Sequence, residues 1–263
     1  MANPRSRHRK SNLPSTARGE RIYAIGDIHG RYDLLRQILK SIEQFNRGLP
    51  SPEKLHVVLL GDVVDRGPAS AQLLQFLRDW AANTEGQVML QGNHEELMLK
   101  VHAGERRLLR SWLQVGGRET LESFGLTVPG SGEPIPPRFM ADIAAAIPKA
   151  TMDFVNRWPT VARSGDYFFC HAGVRPGVEL ARQAKTDLMW IRSEFLNSDR
   201  DHGAVIVHGH SISAEAETRH NRIGIDTGAY RTGVLTALYL DGAEREFIVT
   251  EPATEAVAIA QAQ

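Results

Sequence analysis

The 263-residue sequence has little cysteine and no excess of charge of one sign. Cys170 is its single cysteine, so no intrachain disulfide can form. Low cysteine use is typical of a reducing compartment, and we expect a cytoplasmic protein. The formal net charge is +0, so no overall field indicates nucleic acid or a membrane surface as the partner.

Long apolar runs are also missing. No stretch of about 18 apolar residues occurs, so the sequence predicts no transmembrane helix. The N-terminus is basic but has no apolar segment of the kind found in secretory signals. We therefore expect a disordered basic tail over residues 1–19, one domain over residues 20–250 and a flexible tail over residues 251–263.

What the sequence does contain is a series of short apolar runs, each followed by a polar cluster. Three of them precede helical patterns: RIYAIGD (21–27), LHVVLLGD (55–62) and QVMLQGNH (87–94). This alternation predicts an α/β fold with parallel strands. Residues of about 104–160 carry helical stretches broken by glycine and proline, which predicts an inserted helical cap.

The second half of the chain returns to strand patterns. Its last three runs lie at 222–229, 234–240 and 244–250, with few helices between them, and this predicts antiparallel pairing among them. The whole pattern is typical of two facing mixed β-sheets flanked by helices, with the cap inserted.

Polar side chains stand where the apolar runs end. In open α/β sheets, ligands bind beyond the carboxyl ends of the strands, so we expect these side chains to converge. Their types bind transition or hard metals through nitrogen and oxygen atoms. The candidates are Asp27, His29, Asp62, Asp65, Arg66, Asn93, His94, Glu95, His171, His208 and His210.

Five motifs make the sequence resemble a known family. They are GDIHG (26–30), GDVVDRG (61–67), GNHE (92–95), CHAG (170–173) and the late GH (209–210). Together they resemble the phosphoprotein phosphatase branch of the calcineurin-like metallophosphoesterases, over about residues 21–240. WIR (190–192) and IDTGA (225–229) are most similar to the bacterial and phage serine/threonine protein phosphatases of that branch.

The resemblance implies a site for two divalent metal ions. It assigns Asp27 and His29 to one ion and Asp62 to both ions. Asn93, His171 and His210 would hold the second ion. The donors are nitrogen and oxygen only, so we expect Mn²⁺, with Fe, Zn or Ni as alternatives. A hydroxide shared by the two ions would attack phosphorus directly.

The choice between two nearby histidines rests on the residue that precedes each. Gly209 precedes His210 as in the family's GH motif, which favours His210 over His208 as the ligand. The two-residue period of a strand places both histidines on one face, so His208 is expected to support the site. Ser211 and Ile212 follow where close relatives usually have Thr-Pro.

The resemblance also implies the residues that act on the phosphate. His94 would be the general acid for the leaving oxygen, and Asp65 would hold the other ring nitrogen of that histidine. Arg66 and Arg192 would bind the phosphate, for which a planar guanidinium is well suited. Gln91 stands where many relatives have arginine, which removes one expected phosphate contact.

Three further residues have supporting or structural interpretations. Glu95 either supports a metal ligand or caps the start of the next helix. Asp226 either hydrogen-bonds a histidine of the metal site or has a turn role. Cys170 is interpreted as a packing thiol, because two-metal hydrolysis needs no thiol nucleophile.

The predicted function is a metal-dependent phosphoprotein phosphatase of serine/threonine or dual specificity, with a phosphoprotein or phosphopeptide as substrate. The alternative is a hydrolase of dinucleoside polyphosphates, of the diadenosine tetraphosphate type, or of nucleotide-capped RNA. Asp65 and Glu95 favour the phosphatase, because the symmetrical dinucleotide hydrolases carry Ala and Asp at those places. A third interpretation, an inactive binding module, conflicts with the complete ligand set.

Overall fold

The computed structural model describes residues 13–251, which form ten strands and ten α-helices. The strands are β1 (Glu20–Ile25), β2 (Lys54–Leu59), β3 (Gln87–Met89), β4 (Val161–Ser164), β5 (Tyr167–Cys170), β6 (Val205–His208), β7 (Glu217–Thr218), β8 (Arg222–Gly224), β9 (Thr236–Asp241) and β10 (Glu244–Val249). The helices are α1 (Tyr32–Arg47), α2 (Ser70–Asn83), α3 (Asn93–His102), α4 (Arg106–Trp112), α5 (Arg118–Ser123), α6 (Phe139–Ala146), α7 (Lys149–Asn156), α8 (Lys185–Trp190), α9 (Ser193–Leu196) and α10 (Ala229–Thr232).

The strands form two five-stranded sheets, in the orders β10-β9-β1-β2-β3 and β4-β5-β6-β8-β7. Each sheet is mixed: β1, β2 and β3 run parallel, as do β5, β6 and β8, while β4, β7, β9 and β10 pair antiparallel with their neighbours. The predicted fold class is therefore confirmed.

The predicted pairing of the last three apolar runs is correct for β9 and β10 but wrong for β8. β8 lies in the other sheet, where it pairs parallel with β6 and antiparallel with β7. The chain then leaves β8 through Asp226 and the short helix α10, a connection long enough to cross to the first sheet.

Strand β1 shows how the sheets are covered on both faces. Ile22 and Ala24 pack against the second sheet, in a cluster that includes Phe169 and Val207. The alternate residues of β1, such as Ile25, pack against the helical layer. Because successive side chains of a strand point to opposite faces, a strand buried on both sides is apolar throughout.

Helices α4 to α7 occupy residues 106–156, within the segment predicted as a cap. Their buried side chains, such as Leu109, Trp112 and Ile143, belong to the same apolar cluster as Leu73 of α2. The inserted helices therefore share one core with the helical layer. Between α4 and α5 the chain makes a π-helical turn over Leu113–Gly117.

Residues 13–19 are hydrogen-bonded to the rest of the fold. The Ser15 amide donates to the Asp166 carboxylate at 3.0 Å, and the Thr16 amide donates to the Gly242 carbonyl at 3.0 Å. The prediction of a disordered tail over residues 1–19 is therefore wrong for residues 13–19. Residues 1–12 and 252–263, the rest of the two predicted tails, lie outside the described residues.

A helix that crosses a membrane needs about 20 predominantly apolar residues. None of the helices of residues 13–251 is both long enough and apolar enough to cross a membrane.

Candidate active site

The polar clusters meet at one end of the two sheets, where β1, β2, β3, β5 and β6 end. Among residues 13–251, a positive φ occurs at five residues other than glycine: His29, Asp62, Asp65, Arg66 and His210, with φ between 47° and 73°. All five belong to the residues singled out from the sequence. Left-handed backbone is costly for such residues and is concentrated at functional sites, where the surrounding structure enforces it.

Two groups of metal-ligating side chains converge at this point. His29, Asp62 and His94 form one group, and Asp62, His171 and His210 form the other, each with ligand atoms within 4.8 Å of one another. Asp62 is the residue that the two groups share. This is the arrangement expected of a carboxylate that bridges two ions.

The second group also includes an amide oxygen. His171 Nε2 lies 2.9 Å from Asn93 Oδ1, 3.1 Å from His210 Nδ1 and 3.3 Å from Asp62 Oδ2. These nitrogen and oxygen atoms therefore face one point, and a single proton there could not form hydrogen bonds to all of them. Carboxylate, amide and imidazole donors suit a divalent transition metal, so these residues fit the ions that the sequence predicts.

Backbone carbonyls set the tautomers of two of these histidines. His29 Nδ1 lies 2.9 Å from the Val64 carbonyl, and His171 Nδ1 lies 2.9 Å from the Leu60 carbonyl. Each Nδ1 must therefore carry a proton, so Nε2 is the ring nitrogen that each histidine can offer to a metal ion. His210 Nε2 is buried and has no hydrogen-bond partner among the described residues.

The ionisation states also suit cation binding. Burial lowers the pKa of His29 to about 3 and that of His210 to about 2, so both rings are neutral ligands near pH 7. Burial alone would raise the pKa of Asp62, but the neighbouring histidines, above all His171, hold it well below the usual range. Against the effect of burial, Asp62 and Asp27 raise the pKa of His171 to about 10, so the site attracts positive charge.

Asp27 lies beside these groups, and the backbone positions its carboxylate. The amide of His210 donates to both Asp27 oxygens, at 3.1 and 3.2 Å. Burial and the nearby Asp226 raise the pKa of Asp27 well above its usual range. Asp226 itself accepts a hydrogen bond from the Gly228 amide at 2.9 Å, which is the turn role considered for it.

The structure separates His208 from His210. Strand β6 ends at His208, which lies on the outer face with Ile206, and its ring packs edge-on against Phe195 at 5.0 Å. His208 Nδ1 lies 3.0 Å from the Gly209 carbonyl, and burial lowers the pKa of the ring to about 4. The expectation that both histidines share a face is wrong, because the left-handed backbone at His210 redirects that side chain into the site. Among residues 13–251, the His208 ring makes no hydrogen bond to the side chain of a candidate metal ligand.

His94 and Asp65 form the pair expected from the sequence. Asp65 Oδ2 lies 2.7 Å from His94 Nδ1, and both side chains are buried. Burial opposes a proton on the ring, but Asp62 and Asp65 together raise the pKa of His94 above its usual value. Arg66 Nη2 lies 3.2 Å from His94 Nε2, the ring nitrogen that points into the cavity.

Glu95 holds the loop after β2 through four backbone amides. Its Oε2 accepts from Asp62 and Gly92, both at 2.9 Å, and its Oε1 accepts from Val63 at 2.8 Å and Val64 at 3.2 Å. Burial and the Asp62 carboxylate raise the pKa of Glu95 to about 7. Glu95 thus holds the backbone at Asp62, the residue shared by the two groups, and accepts the Gly92 amide at the start of α3.

A cavity of about 280 Å³ opens onto the candidate metal ligands. Arg66 and His94 line this cavity. Arg192 lines the same cavity, as its predicted role in binding phosphate requires. One wall is apolar and is formed by Leu97, Val115 and Trp190. Trp190 and Val115 are 38% and 40% exposed, unusual values for large apolar side chains.

Two residues near the site point away from it. Gln91 is buried, and its amide nitrogen lies 3.4 Å from the Val155 carbonyl in α7, so the side chain faces the helices. Cys170 is also buried, which raises the pKa of its thiol to about 12. Neither side chain is placed to touch a phosphate.

Some residues of the site were not singled out as site residues from the sequence. Trp112 and Thr120 contact Asp65 from the inserted helices, and Trp190 lines the cavity. The ring of Tyr230 lies 5.4 Å from that of His29 and 4.7 Å from the Arg66 guanidinium. The sequence features that could have indicated the two tryptophans are the Gly116-Gly117 pair, which follows Trp112, and the WIR motif, which begins with Trp190.

Residues 20–232 match the calcineurin-like phosphoesterase family, so the chain belongs to that family. Its two mixed sheets and its candidate ligands for divalent metal ions are consistent with that family. The chain is similar over its whole fold to the crystal structure of a putative diadenosine tetraphosphatase. The TM-score is 0.61 at 19% identity, over 92% of this chain and 100% of that one.

Curated relatives include two kinds of hydrolase. A symmetrical bis(5'-nucleosyl)-tetraphosphatase of Neisseria gonorrhoeae is 32% identical over 61% of this chain and 46% of its own length. An asymmetrical bis(5'-nucleosyl)-tetraphosphatase of Geobacillus is 24% identical over 82% of this chain and 89% of its own. The human serine/threonine-protein phosphatase with EF-hands 2 is 34% identical over 43% of this chain and 14% of its own. The chain spans about half the length of the symmetrical tetraphosphatases it matches.

Proposed function

We propose that the protein hydrolyses dinucleoside polyphosphates with two bound divalent metal ions. The observation that carries this proposal is the composition of the cavity. Arg66 and Arg192 offer two guanidinium groups to a chain of phosphates, and Trp190, Val115 and Leu97 offer an apolar wall to a nucleobase. The tetraphosphatases among the relatives support the same substrate class. This class was the alternative to the protein phosphatase in the sequence analysis.

Six side chains would hold the two ions: Asp27, His29, Asp62, Asn93, His171 and His210. When bound, two such ions lower the pKa of a shared water and stabilise the charge that develops on the phosphoryl group. The N/O donor set favours Mn²⁺, with Fe, Zn or Ni as alternatives. His29 and His171 present Nε2 because carbonyls hold their Nδ1 protons.

The remaining polar side chains act on the substrate. A phosphate that binds Arg66 draws its guanidinium away from His94 Nε2, which lies 3.2 Å from Arg66 Nη2 in this structure. His94 Nε2 can then carry a proton, while Nδ1 donates to Asp65. As a water oxygen bonds to phosphorus and the bond from phosphorus to the leaving oxygen breaks, the leaving oxygen takes the proton from Nε2.

A second candidate function is hydrolysis of phosphoserine or phosphothreonine in proteins. The observation that favours it is the 2.7 Å contact between Asp65 and His94. An alkoxide leaving group requires an oriented general acid, whereas a nucleotide leaves more easily. The human phosphatase among the relatives supports this candidate as well.

A substrate panel separates the two candidates. Purified metal-loaded protein is assayed with diadenosine tetraphosphate, a phosphoserine peptide and capped RNA under matched Mn²⁺ and pH. We expect kcat/KM for diadenosine tetraphosphate to exceed that for the peptide about tenfold or more, some 1.4 kcal/mol of discrimination. A tenfold preference for the peptide would instead establish the protein phosphatase.

The apolar wall is tested with one substitution in the cavity. Trp190→Ala should raise KM for diadenosine tetraphosphate and change kcat/KM for 4-nitrophenyl phosphate by no more than about twofold, because that substrate has no nucleobase. Trp190→Phe keeps an aromatic face and is the matched control. Equal losses with both substrates would contradict base binding on Trp190.

A further inference from the structure

The Asp65 carboxylate is fully buried and receives hydrogen bonds from three side chains. One is His94, through Nδ1 at 2.7 Å from Oδ2. The other two come from the inserted helices: Trp112 Nε1–H donates to Oδ2 at 2.8 Å, and Thr120 Oγ1–H donates to Oδ1 at 2.6 Å. Trp112 and Thr120 lie 47 and 55 residues away in the chain, outside every metal-binding motif.

These contacts leave the carboxylate one orientation. Thr120 engages Oδ1, while Trp112 and His94 engage Oδ2, so rotation of the carboxylate would break all three hydrogen bonds. Trp112 and Thr120 are themselves fully buried. Hydrogen bonds are strongest where water is excluded, and an unpaired carboxylate oxygen is costly there.

The same segment also holds the backbone next to Asp65. The Gly116 carbonyl accepts from the Arg66 amide at 3.0 Å, and the Val115 carbonyl lies 3.3 Å from Arg66 Nε. Gly116 has φ +118°, which glycine adopts without strain. A Cβ at Gly117 would lie 2.5 Å from the indole of Trp112, so glycine allows the ring to pack against the backbone.

We infer that Trp112 and Thr120 are positioning residues for the general acid. They hold the Asp65 carboxylate in the orientation that keeps the proton on His94 Nδ1 and aims Nε2 at the leaving oxygen. Neither residue touches the substrate, and neither adds charge. The inference rests on the proposed phosphohydrolase function and assigns a catalytic role to the inserted helices.

A measurement on the indole tests the contact without any turnover. The chain has four tryptophans, so ¹⁵N-indole spectra are simple, and the spectrum of Trp112→Phe identifies the Trp112 signal. We expect the Trp112 indole proton to exchange more slowly than that of Trp158, whose buried Nε1 has no partner among the described residues. Asp65→Asn should shift the Trp112 signal and leave that of Trp158 in place. An unshifted Trp112 signal would overturn the inference.

A double-mutant cycle tests the role in catalysis. Trp112→Phe and Thr120→Val should each lower kcat about tenfold or more with KM little changed, since each removes one hydrogen bond to a buried charge. Neither substitution should lower kcat further when His94→Asn is already present. Trp158→Phe is the matched control and should have no effect in either background. Thr120→Ser keeps the hydroxyl and should retain activity.

The possible outcomes are distinct. If the losses from Trp112→Phe and His94→Asn multiply, the inserted helices act independently of the general acid, and the inference is wrong. If Thr120→Ser loses as much activity as Thr120→Val, the hydroxyl is not the positioning group. If the unsubstituted protein hydrolyses none of the phosphate substrates, the proposed function fails, while the indole measurement still decides whether Trp112 holds Asp65.

Discussion

Replacing Glu95 by glutamine should destabilise the loop that carries Asp62. The two carboxylate oxygens accept four backbone N–H groups, from Asp62, Val63, Val64 and Gly92. A glutamine amide has one oxygen and one NH₂. In either orientation, its NH₂ faces two of these amides and leaves both without an acceptor.

Each buried donor left unsatisfied costs about 1–3 kcal/mol, so the lost hydrogen bonds of Glu95→Gln should lower the free energy of unfolding by about 2–6 kcal/mol. Glutamine carries no charge, so relief of charge burial and of the repulsion with Asp62, which together raise the Glu95 pKa, offsets part of this loss. Native domains have only about 5–15 kcal/mol in total, so the variant should be markedly less stable. The loss should be accompanied by weaker metal binding, because Glu95 fixes the backbone at Asp62.

Urea unfolding at pH 8 measures this effect. That pH lies above the Glu95 pKa of about 7, so the carboxylate of the unsubstituted protein is ionised. Chelator is present throughout, because bound metal would stabilise the two proteins unequally. Glu43→Gln is the control: its carboxylate is exposed and pairs with Arg47 on the surface, so we expect a change within about 0.5 kcal/mol. A loss below about 1 kcal/mol for Glu95→Gln would refute the argument.

Three further outcomes are expected. The Cys170 thiol should resist a thiol reagent at pH 8 and react with one equivalent after unfolding, because burial raises its pKa to about 12; reaction of the native protein would contradict its placement. Gly92→Ala should abolish metal binding, since a Cβ there would lie 2.2 Å from Asp62 Oδ1. Gly48→Ala is the control and should leave the metal content unchanged, because the nearest atom to its Cβ would be the Phe45 carbonyl oxygen at 3.8 Å. Chelator should remove the activity, and Mn²⁺ should restore it with two ions per chain by metal analysis. Asp62→Asn should cause the largest loss of activity among the ligand variants. A single ion per chain in the fully active protein would exclude the two-metal site.

The sequence by itself was sufficient to predict that the polar side chains at the strand ends converge. Asp27, Asp62 and Asn93 each follow a short apolar run, and parallel strands bring their carboxyl ends to one edge. This inference needs only local pattern and chain direction. The fold class follows for the same reason, since the alternation of strands and helices is a local property.

Long-range packing decided what those patterns left open. β8 lies in the second sheet, between β6 and β7. The spacing of neighbouring apolar runs does not determine such a pairing, because it depends on which strands pack together in the folded chain. His208 and His210 lie two residues apart, and a regular strand would place them on one face. The left-handed backbone at His210 reverses that expectation, and only the surrounding structure enforces such a conformation.

The set of contacts around Asp65 is the clearest case of tertiary control. The sequence predicted the pairing of Asp65 with His94 by resemblance, and the structure brings their atoms to 2.7 Å. No local pattern links Asp65 to Trp112 or Thr120, because these contacts close loops of 47 and 55 residues. Local periodicity determines which residues stand at a strand end. The burial of one carboxylate, and the need to satisfy each of its oxygens, determines which distant side chains must meet it.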